Sequence, residues 1–191
     1  RHSFVSIEDV ADFAVAAGYK WLLGPYAVGF LYVAPEHRGG EPLEENWINR
    51  ERSDDFARLV DYQDAYRPGA ERFDMGERSN FQLLPPALEA VRTITRFGVE
   101  SCAAHAAQLS EMILEQTAPL GLAASTPDRS GHYLGLSLPE RAPADLLDRL
   151  KAHGVHITQR GTKLRVTPHL YNTPEDVARF TEALGAALEG A

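Results

Sequence analysis

Two continuous apolar runs stand close together near the start of the chain, Phe13-Ala14-Val15-Ala16-Ala17 and Ala27-Val28-Gly29-Phe30-Leu31-Tyr32-Val33. Short runs without a helical period read as buried strands of a covered sheet, which points to an α/β architecture. The connection between them, Gly18-Tyr19-Lys20-Trp21-Leu22-Leu23-Gly24-Pro25, sets one lysine between two aromatics. In apolar surroundings the charged form of a lysine is disfavoured, its pKa tends to fall and a neutral nucleophilic amine becomes accessible. That is the state a lysine needs to condense with a carbonyl. The competing reading is a strand-end lysine whose ammonium reaches solvent. Lysine is scarce in this chain: Lys20, Lys151 and Lys163 stand against sixteen arginines.

The 191 residues allow one ordinary domain or two small ones, and 44% hydrophobic with 24% charged residues is a globular composition. A net charge of −8 offers no basic footprint, so nucleic acid is not an expected partner. No apolar run reaches the roughly 20 residues that span a bilayer, so no membrane partner is expected. The single cysteine, Cys102, rules out an internal disulfide framework and fits a reducing, cytoplasmic setting. Arg1-His2-Ser3-Phe4 has neither an initiating methionine nor a signal pattern. Ser6-Ile7-Glu8-Asp9 reads as a capped short helix leading straight into the first apolar run.

Residues 34–69, rich in charge, proline and glycine, read as a long ordered excursion. Pro85-Pro86 opens a helix with Leu88, Val91 and Ile94 on one face, stopped near Gly98. A second helix carries Val99, Cys102, Ala106, Leu109, Met112 and Ile113 at three- and four-residue spacing. Beyond it, strands are expected at 122–125, 132–138, 155–159 and 163–167, with a helix over 143–152. Thr173-Pro174-Glu175-Asp176 starts the closing helix, with Thr173 as N-cap and a buried stripe of Val177, Phe180, Leu184 and Leu188. Short connections between these elements indicate an α+β layer after residue 98.

Four blocks occur in order: the Lys20 segment, Arg72-Phe73-Asp74-Met75-Gly76-Glu77-Arg78-Ser79-Asn80-Phe81, Phe97-Gly98-Val99-Glu100, and Leu164-Arg165-Val166-Thr167-Pro168-His169-Leu170-Tyr171-Asn172-Thr173-Pro174-Glu175-Asp176. Together they resemble the class V pyridoxal-phosphate aminotransferases of fold type I, a group that also holds cysteine desulfurases, epimerase-like proteins and kynureninases. The resemblance implies the end of a large cofactor-binding domain over 1–70, a crossover segment and interdomain helix over 71–97, and a small α+β C-terminal domain over 98–191. It also implies a C-terminal fragment of a longer enzyme, one that lacks the partner of the pyridine nitrogen and most phosphate donors.

On this resemblance Lys20 attaches pyridoxal 5'-phosphate and then serves as base and acid at the substrate α-carbon. Arg165 holds the α-carboxylate of a small amino-acid substrate, a task suited to a planar bidentate guanidinium, and Arg160 shares or replaces that role. Against this, an arginine at a strand edge can simply pair with a surface acid. Ser79 and Asn80, on the Gly76 turn, are implied to reach the cofactor phosphate across a homodimer interface; Asn80 could equally cap the following helix. Trp47 falls where kynureninase-like relatives place a tryptophan against cofactor or substrate. Tyr171-Asn172-Thr173 reads as a turn, His105 as a half-buried surface histidine, and no metal-ligand spacing is visible. Cys102 lies on a helix beside alanines, so a persulfide mechanism is not expected. The implied activity is transamination. Its rivals are kynureninase-like lyase or epimerase-like chemistry, and a remnant that catalyses nothing by itself.

Overall fold

The computed structural model describes residues 5–140 and 142–189 and divides into two compact units, Arg1–Arg96 and Phe97–Ala191. The Arg1-His2-Ser3-Phe4 stretch lies outside the described residues.

In the first unit the apolar runs form the strands β1 (Phe13–Ala17) and β2 (Gly29–Val33), paired antiparallel with Phe13 opposite Val33 and Ala17 opposite Gly29. They make a two-stranded ribbon, and here the sequence expectation fails. The strands are not buried: Val15 is 83% exposed, Phe13, Phe30 and Leu31 are exposed too, and Val33 is the only strand residue fully covered. A ribbon of two strands has no third strand beside it, and the described residues lay no helix layer across both its faces. Ile7–Asp9 does form a short 3-10 helix, but the Ser6 side chain makes no capping bond.

The excursion over 34–69 is ordered as predicted, and the order runs on to residue 80, by polar links more than by an apolar core. Short 3-10 turns at Pro35–His37, Trp47–Asn49, Phe56–Arg58 and Gly69–Phe73 succeed one another. Asn49, fully buried, donates through Nδ2 to the carbonyls of Arg72 and Asp74. Ser53 donates to the Ile48 carbonyl at 2.6 Å, Arg67 donates to Ser53 and Asp54, and Arg72 donates to the Gly40 carbonyl at 3.1 Å.

Helix α1 (Leu84–Phe97) follows. Its buried stripe is Ala87, Ala90 and Ile94, while Leu88 is exposed, so the predicted face is rotated by about a residue. Small side chains permit the close approach: a Cβ at Gly24 would lie 3.8 Å from that of Ala90. The loop carrying Lys20 thus packs against the alanine face of α1.

The second unit matches its expectation closely. Helix α2 (Val99–Thr117) leads to strands β3 (Ala123–Ala124) and β4 (Leu134–Ser137), helix α3 (Leu146–Ala152), strands β5 (Thr158–Arg160) and β6 (Lys163–Val166), and helix α4 (Pro174–Glu189). The sheet order is β3-β4-β6-β5, antiparallel throughout. Period-two alternation sends Leu134, Leu136, Leu164 and Val166 into a core shared with Leu109, Ile113, Leu146, Leu150, Phe180 and Leu184. Gly135 and Arg165, paired across the sheet, belong to the other face. Cys102 is buried on α2, as expected for an inert small apolar residue. No helix among the described residues is long and apolar enough to cross a membrane.

Candidate functional site

Lys20 sits in the turn directly after β1, in a loop with little freedom. Gly18 N–H donates to Val28 at 2.9 Å, Gly24 N–H donates to Gly18 at 2.7 Å and Leu23 N–H donates to Lys20 at 3.0 Å. An added Cβ would stand 2.9 Å from the Val28 carbonyl oxygen at Gly18 and 2.8 Å from that of Gly18 at Gly24, so backbone opposes any side chain at either position. Tyr19 and Tyr26 stack across the loop with centroids 4.3 Å apart. Leu23 and Ala27 hold φ of 60° and 67°, a left-handed conformation that side chains rarely adopt and that collects at functional sites.

Within this frame Lys20 itself is exposed, its ammonium 5.5 Å from the Tyr19 ring centroid, and no ion pair engages it among the described residues. The apolar enclosure anticipated from its neighbours is therefore absent among the described residues, because most of the ribbon that delivers it is exposed. What the loop does supply is a positioned, accessible amine.

The other first-unit candidates are spread out. Asn80 Oδ1 accepts from the backbone N–H groups of Gln82 at 3.1 Å and Leu83 at 3.0 Å, and its carbonyl accepts from Leu84; it caps the entry to α1. Ser79 beside it is exposed, with no hydrogen bond among the described residues. Trp47 is 45% exposed, meets Phe56 edge-to-face at 6.3 Å, and lines a cavity of about 200 Å³ that includes none of Lys20, Ser79 or Asn80.

In the second unit Arg165 lies on β6, between β4 and β5, so it is not a strand-edge arginine. It is half-buried, its guanidinium lies 5.4 Å from the Tyr133 ring centroid, and its Nε is buried without a hydrogen-bond partner. No acid pairs with it among the described residues. It lines a cavity of about 310 Å³ together with His156, Tyr171, Asn172, Asp176 and Arg179. Asp176, the acid of that set, accepts the Thr173 backbone N–H at 3.1 Å while Thr173 Oγ1 accepts the Asp176 N–H at 3.4 Å, a reciprocal cap that starts α4. Two guanidiniums facing one engaged carboxylate leave the cavity suited to an anion. Arg160, by contrast, is exposed on the edge strand β5, donates only to the neighbouring Gln159 carbonyl, and is not part of this cavity.

Sequence reading underrated Tyr171 and Asn172. They do turn the chain into α4, yet they also wall the Arg165 cavity; Asn172 Oδ1 accepts from His169 N–H at 3.0 Å, and half-buried His105 bonds the Asn172 carbonyl at 2.9 Å. It also missed Asp12, Glu36 and His37, whose ligand-type atoms fall within 4.8 Å of one another once β1 and β2 pair, with His37 and Asp12 in contact at 3.4 Å. All three lie at the surface, and strand register brings Asp12 beside the neighbouring pair Glu36 and His37.

Two carboxylates have pKa values shifted downward. The hydrogen bond from Arg149 lowers Asp145 below the ordinary range, and that from Thr173 lowers Glu175. Both lie at helix starts.

No family model matches this chain. It is 24% identical over 186 residues to isopenicillin N epimerase of Streptomyces clavuligerus, covering 92% of this chain and 47% of that protein. It is 25% identical over 176 residues to the uncharacterized aminotransferase YcbU of Bacillus subtilis (strain 168), covering 92% and 45%. Among solved structures it resembles the cystine C-S lyase C-DES in complex with cysteine persulfide, with a TM-score of 0.78 at 17% identity over 92% of this chain and 46% of that one. A lysine-to-alanine mutant of C-DES, which fits equally well, was solved with glycine covalently linked to the PLP cofactor. The chain has the class V pyridoxal-phosphate-dependent aminotransferase-like fold and corresponds to its C-terminal portion. It spans about half the length of the curated relatives it matches.

Proposed function

We propose that this chain is the lysine-bearing C-terminal portion of a pyridoxal-phosphate-dependent enzyme that transfers the amino group of a small amino-acid substrate. The observation that carries this reading is the Lys20 loop: an accessible amine, without an ion pair among the described residues, on a loop fixed by Gly18, Gly24 and the Tyr19–Tyr26 stack. The donor set fits the cofactor in part. Lys20 would hold it covalently, the free hydroxyl of Ser79 and the donor side of Asn80 would meet its phosphate, and Trp47 would offer a flat face to a ring. When bound, the cofactor supplies an electron sink that labilises bonds to the amino acid's α-carbon. Once the substrate's amino group had displaced it from the cofactor, the freed Lys20 Nζ would take and return the α-proton. Arg165 grips the substrate carboxylate, supported by its unpaired half-buried guanidinium, and exposed Arg160 plays the lesser part. A homodimer in the cytoplasm completes the proposal, with the turn over residues 76–80 reaching the partner.

Similarity to an epimerase at nearly the same identity as to an aminotransferase favours one second reading, inversion at the α-carbon. It uses the same lysine and arginine and differs in where the proton returns.

Borohydride trapping tests the reading. The chain is incubated with pyridoxal phosphate, reduced, digested and mapped by mass spectrometry. A stoichiometric adduct at Lys20, with Lys151 and Lys163 unmodified, is the expected result; labelling spread evenly over the three lysines overturns it.

A further inference from the structure

The β1–β2 ribbon has two ends, and the reading of Lys20 uses only one of them. The lysine loop leaves β1 at the end where Ala17 pairs with Gly29. At the other end Phe13 pairs with Val33; Asp12 directly precedes the one, and Glu36 and His37 closely follow the other. One oxygen from each carboxylate and one ring nitrogen of His37 all lie within 4.8 Å of one another. Separate contacts hold these donors in place. Ala34 N–H donates to the Asp12 carbonyl at 2.8 Å, which carries the strand ladder one bond further. Glu36 and His37 belong to the 3-10 turn Pro35–His37, and His37 N–H donates to the Ala34 carbonyl at 3.0 Å. The imidazole stacks on the Phe13 ring with centroids 5.1 Å apart, which sets its plane, and its Nε2 approaches Asp12 at 3.4 Å.

The cluster gathers two carboxylates without a permanent cation to balance them. No lysine or arginine pairs with Asp12 or Glu36 among the described residues, and neither side chain accepts a hydrogen bond there. Arg38, the cation next in sequence, donates through Nε to the Val33 carbonyl at 2.9 Å and pairs with neither acid. Like charges brought together are costly, and a divalent ion between them removes that cost. The donor types narrow the choice of ion. Magnesium and calcium prefer shells made of oxygen alone, whereas an imidazole beside carboxylates suits zinc, at roughly 2.0–2.2 Å from each donor atom. Tetrahedral neighbours at such lengths stand roughly 3.4 Å apart. Asp12 and Glu36 are exposed, so their side chains are free to turn and close the difference.

We propose that Asp12, Glu36 and His37 bind a zinc ion that clips together the end of the ribbon away from Lys20, with water completing the coordination. Asp12 comes from the start of β1 and the other two from the turn after β2, so the ion ties both strands at their open end. The inference stands on these three residues, whether or not Lys20 carries a cofactor.

The test is a calorimetric titration of the chelator-treated full chain with zinc chloride and, separately, magnesium chloride, with amide exchange followed on the same samples. One equivalent of zinc is expected to saturate the chain, at least tenfold more tightly than magnesium, and to slow exchange across β1 and β2. His37→Gln removes the imidazole and Asp12→Asn removes a carboxylate from the other strand. Each should weaken zinc binding at least tenfold and leave the metal-free melting temperature unchanged. Absence of saturable zinc binding overturns the proposal, as does magnesium binding as tightly as zinc, which would leave only an acidic surface. Undiminished binding by folded His37→Gln or Asp12→Asn also overturns it, since the zinc then sits on other residues. So does zinc held with no change in exchange across β1 and β2.

Discussion

The two units hold themselves together by different means. In the C-terminal unit, leucines from three helices and two central strands interlock: Leu109, Leu134, Leu136, Leu146, Leu150, Leu164 and Leu184 are all at or below 1% exposure. In the N-terminal unit the buried apolar set is small, Val33, Ala34, Ala87, Ala90 and Ile94, and most of the chain over 34–80 is tied by side chains bonding to backbone carbonyls. Burial of apolar area is the larger stabilising effect, worth roughly 1.5–3 kcal/mol for each fully covered large side chain, whereas a typical hydrogen bond nets about 1 kcal/mol. The unit with the stronger core carries the candidate carboxylate anchor, and the unit with the weaker one carries the candidate cofactor lysine and the strained loops.

The comparison is broken most directly by truncating one apolar side chain in each unit. Leu164→Ala should cost about 3–4 kcal/mol in urea unfolding, through lost burial and the cavity left behind. Val15→Ala, on the bare ribbon, should change stability by less than about 0.5 kcal/mol. Similar losses at both positions would mean that β1 is covered in solution.

Gly24→Ala probes the tightest backbone contact of the first unit. Its Cβ would meet a carbonyl oxygen that cannot move aside, and a loss of about 1–3 kcal/mol is expected. Amide exchange should accelerate across β1, β2 and the Lys20 loop while the second unit stays protected; uniform acceleration would show that the units unfold as one.

Thr173→Ala removes half of the reciprocal cap on α4 and should cost about 1 kcal/mol, with the loss read in the same unfolding curves. Arg165→Met sharpens the functional side of the comparison. A half-buried guanidinium with an unsatisfied Nε is not a net stabiliser, so the variant should be neutral or more stable by up to about 1 kcal/mol. Its binding of an amino acid should fall at least tenfold by calorimetry. A clear loss of stability would identify Arg165 as a structural residue.

The smallest effect is acid sensitivity. Asp145 and Glu175 have folded values below their ordinary ones, chiefly through hydrogen bonds to Arg149 and Thr173. Their contribution is therefore present above ordinary carboxylate values near about 4 and lost as pH falls below them. Asp145→Asn and Glu175→Gln should flatten the melting temperature between about pH 5 and pH 3, and added salt should shrink the difference, since both groups are exposed.

How legible the molecule was depends on which unit is read. In residues 97–189 every predicted strand and helix is present, because alternating leucines and the Thr173-Pro174 cap state both the period and the boundary locally. In residues 5–96 the strand positions were legible but their burial was not. An apolar run tells that a segment is suited to being covered; it does not supply the cover. The same limit applied to α1, where large Leu88 was expected inward and small Ala87 and Ala90 took the contact because the lysine loop approaches too closely for leucine. Asn80 shows the limit at the site: a short polar residue before a helix serves as cap or as donor with identical local sequence, and the structure puts its oxygen on the cap.

The sequence by itself determined the order of elements, the C-terminal core, the cap of α4 and the placement of a lone lysine between two strands, since each follows from residue spacing along one segment. Tertiary structure alone decided that Lys20 is exposed and that Arg165 sits on a central strand with no acid paired to it among the described residues. Those follow from which segments pair and cover one another, set by strand register and loop closure, and no local pattern encodes them.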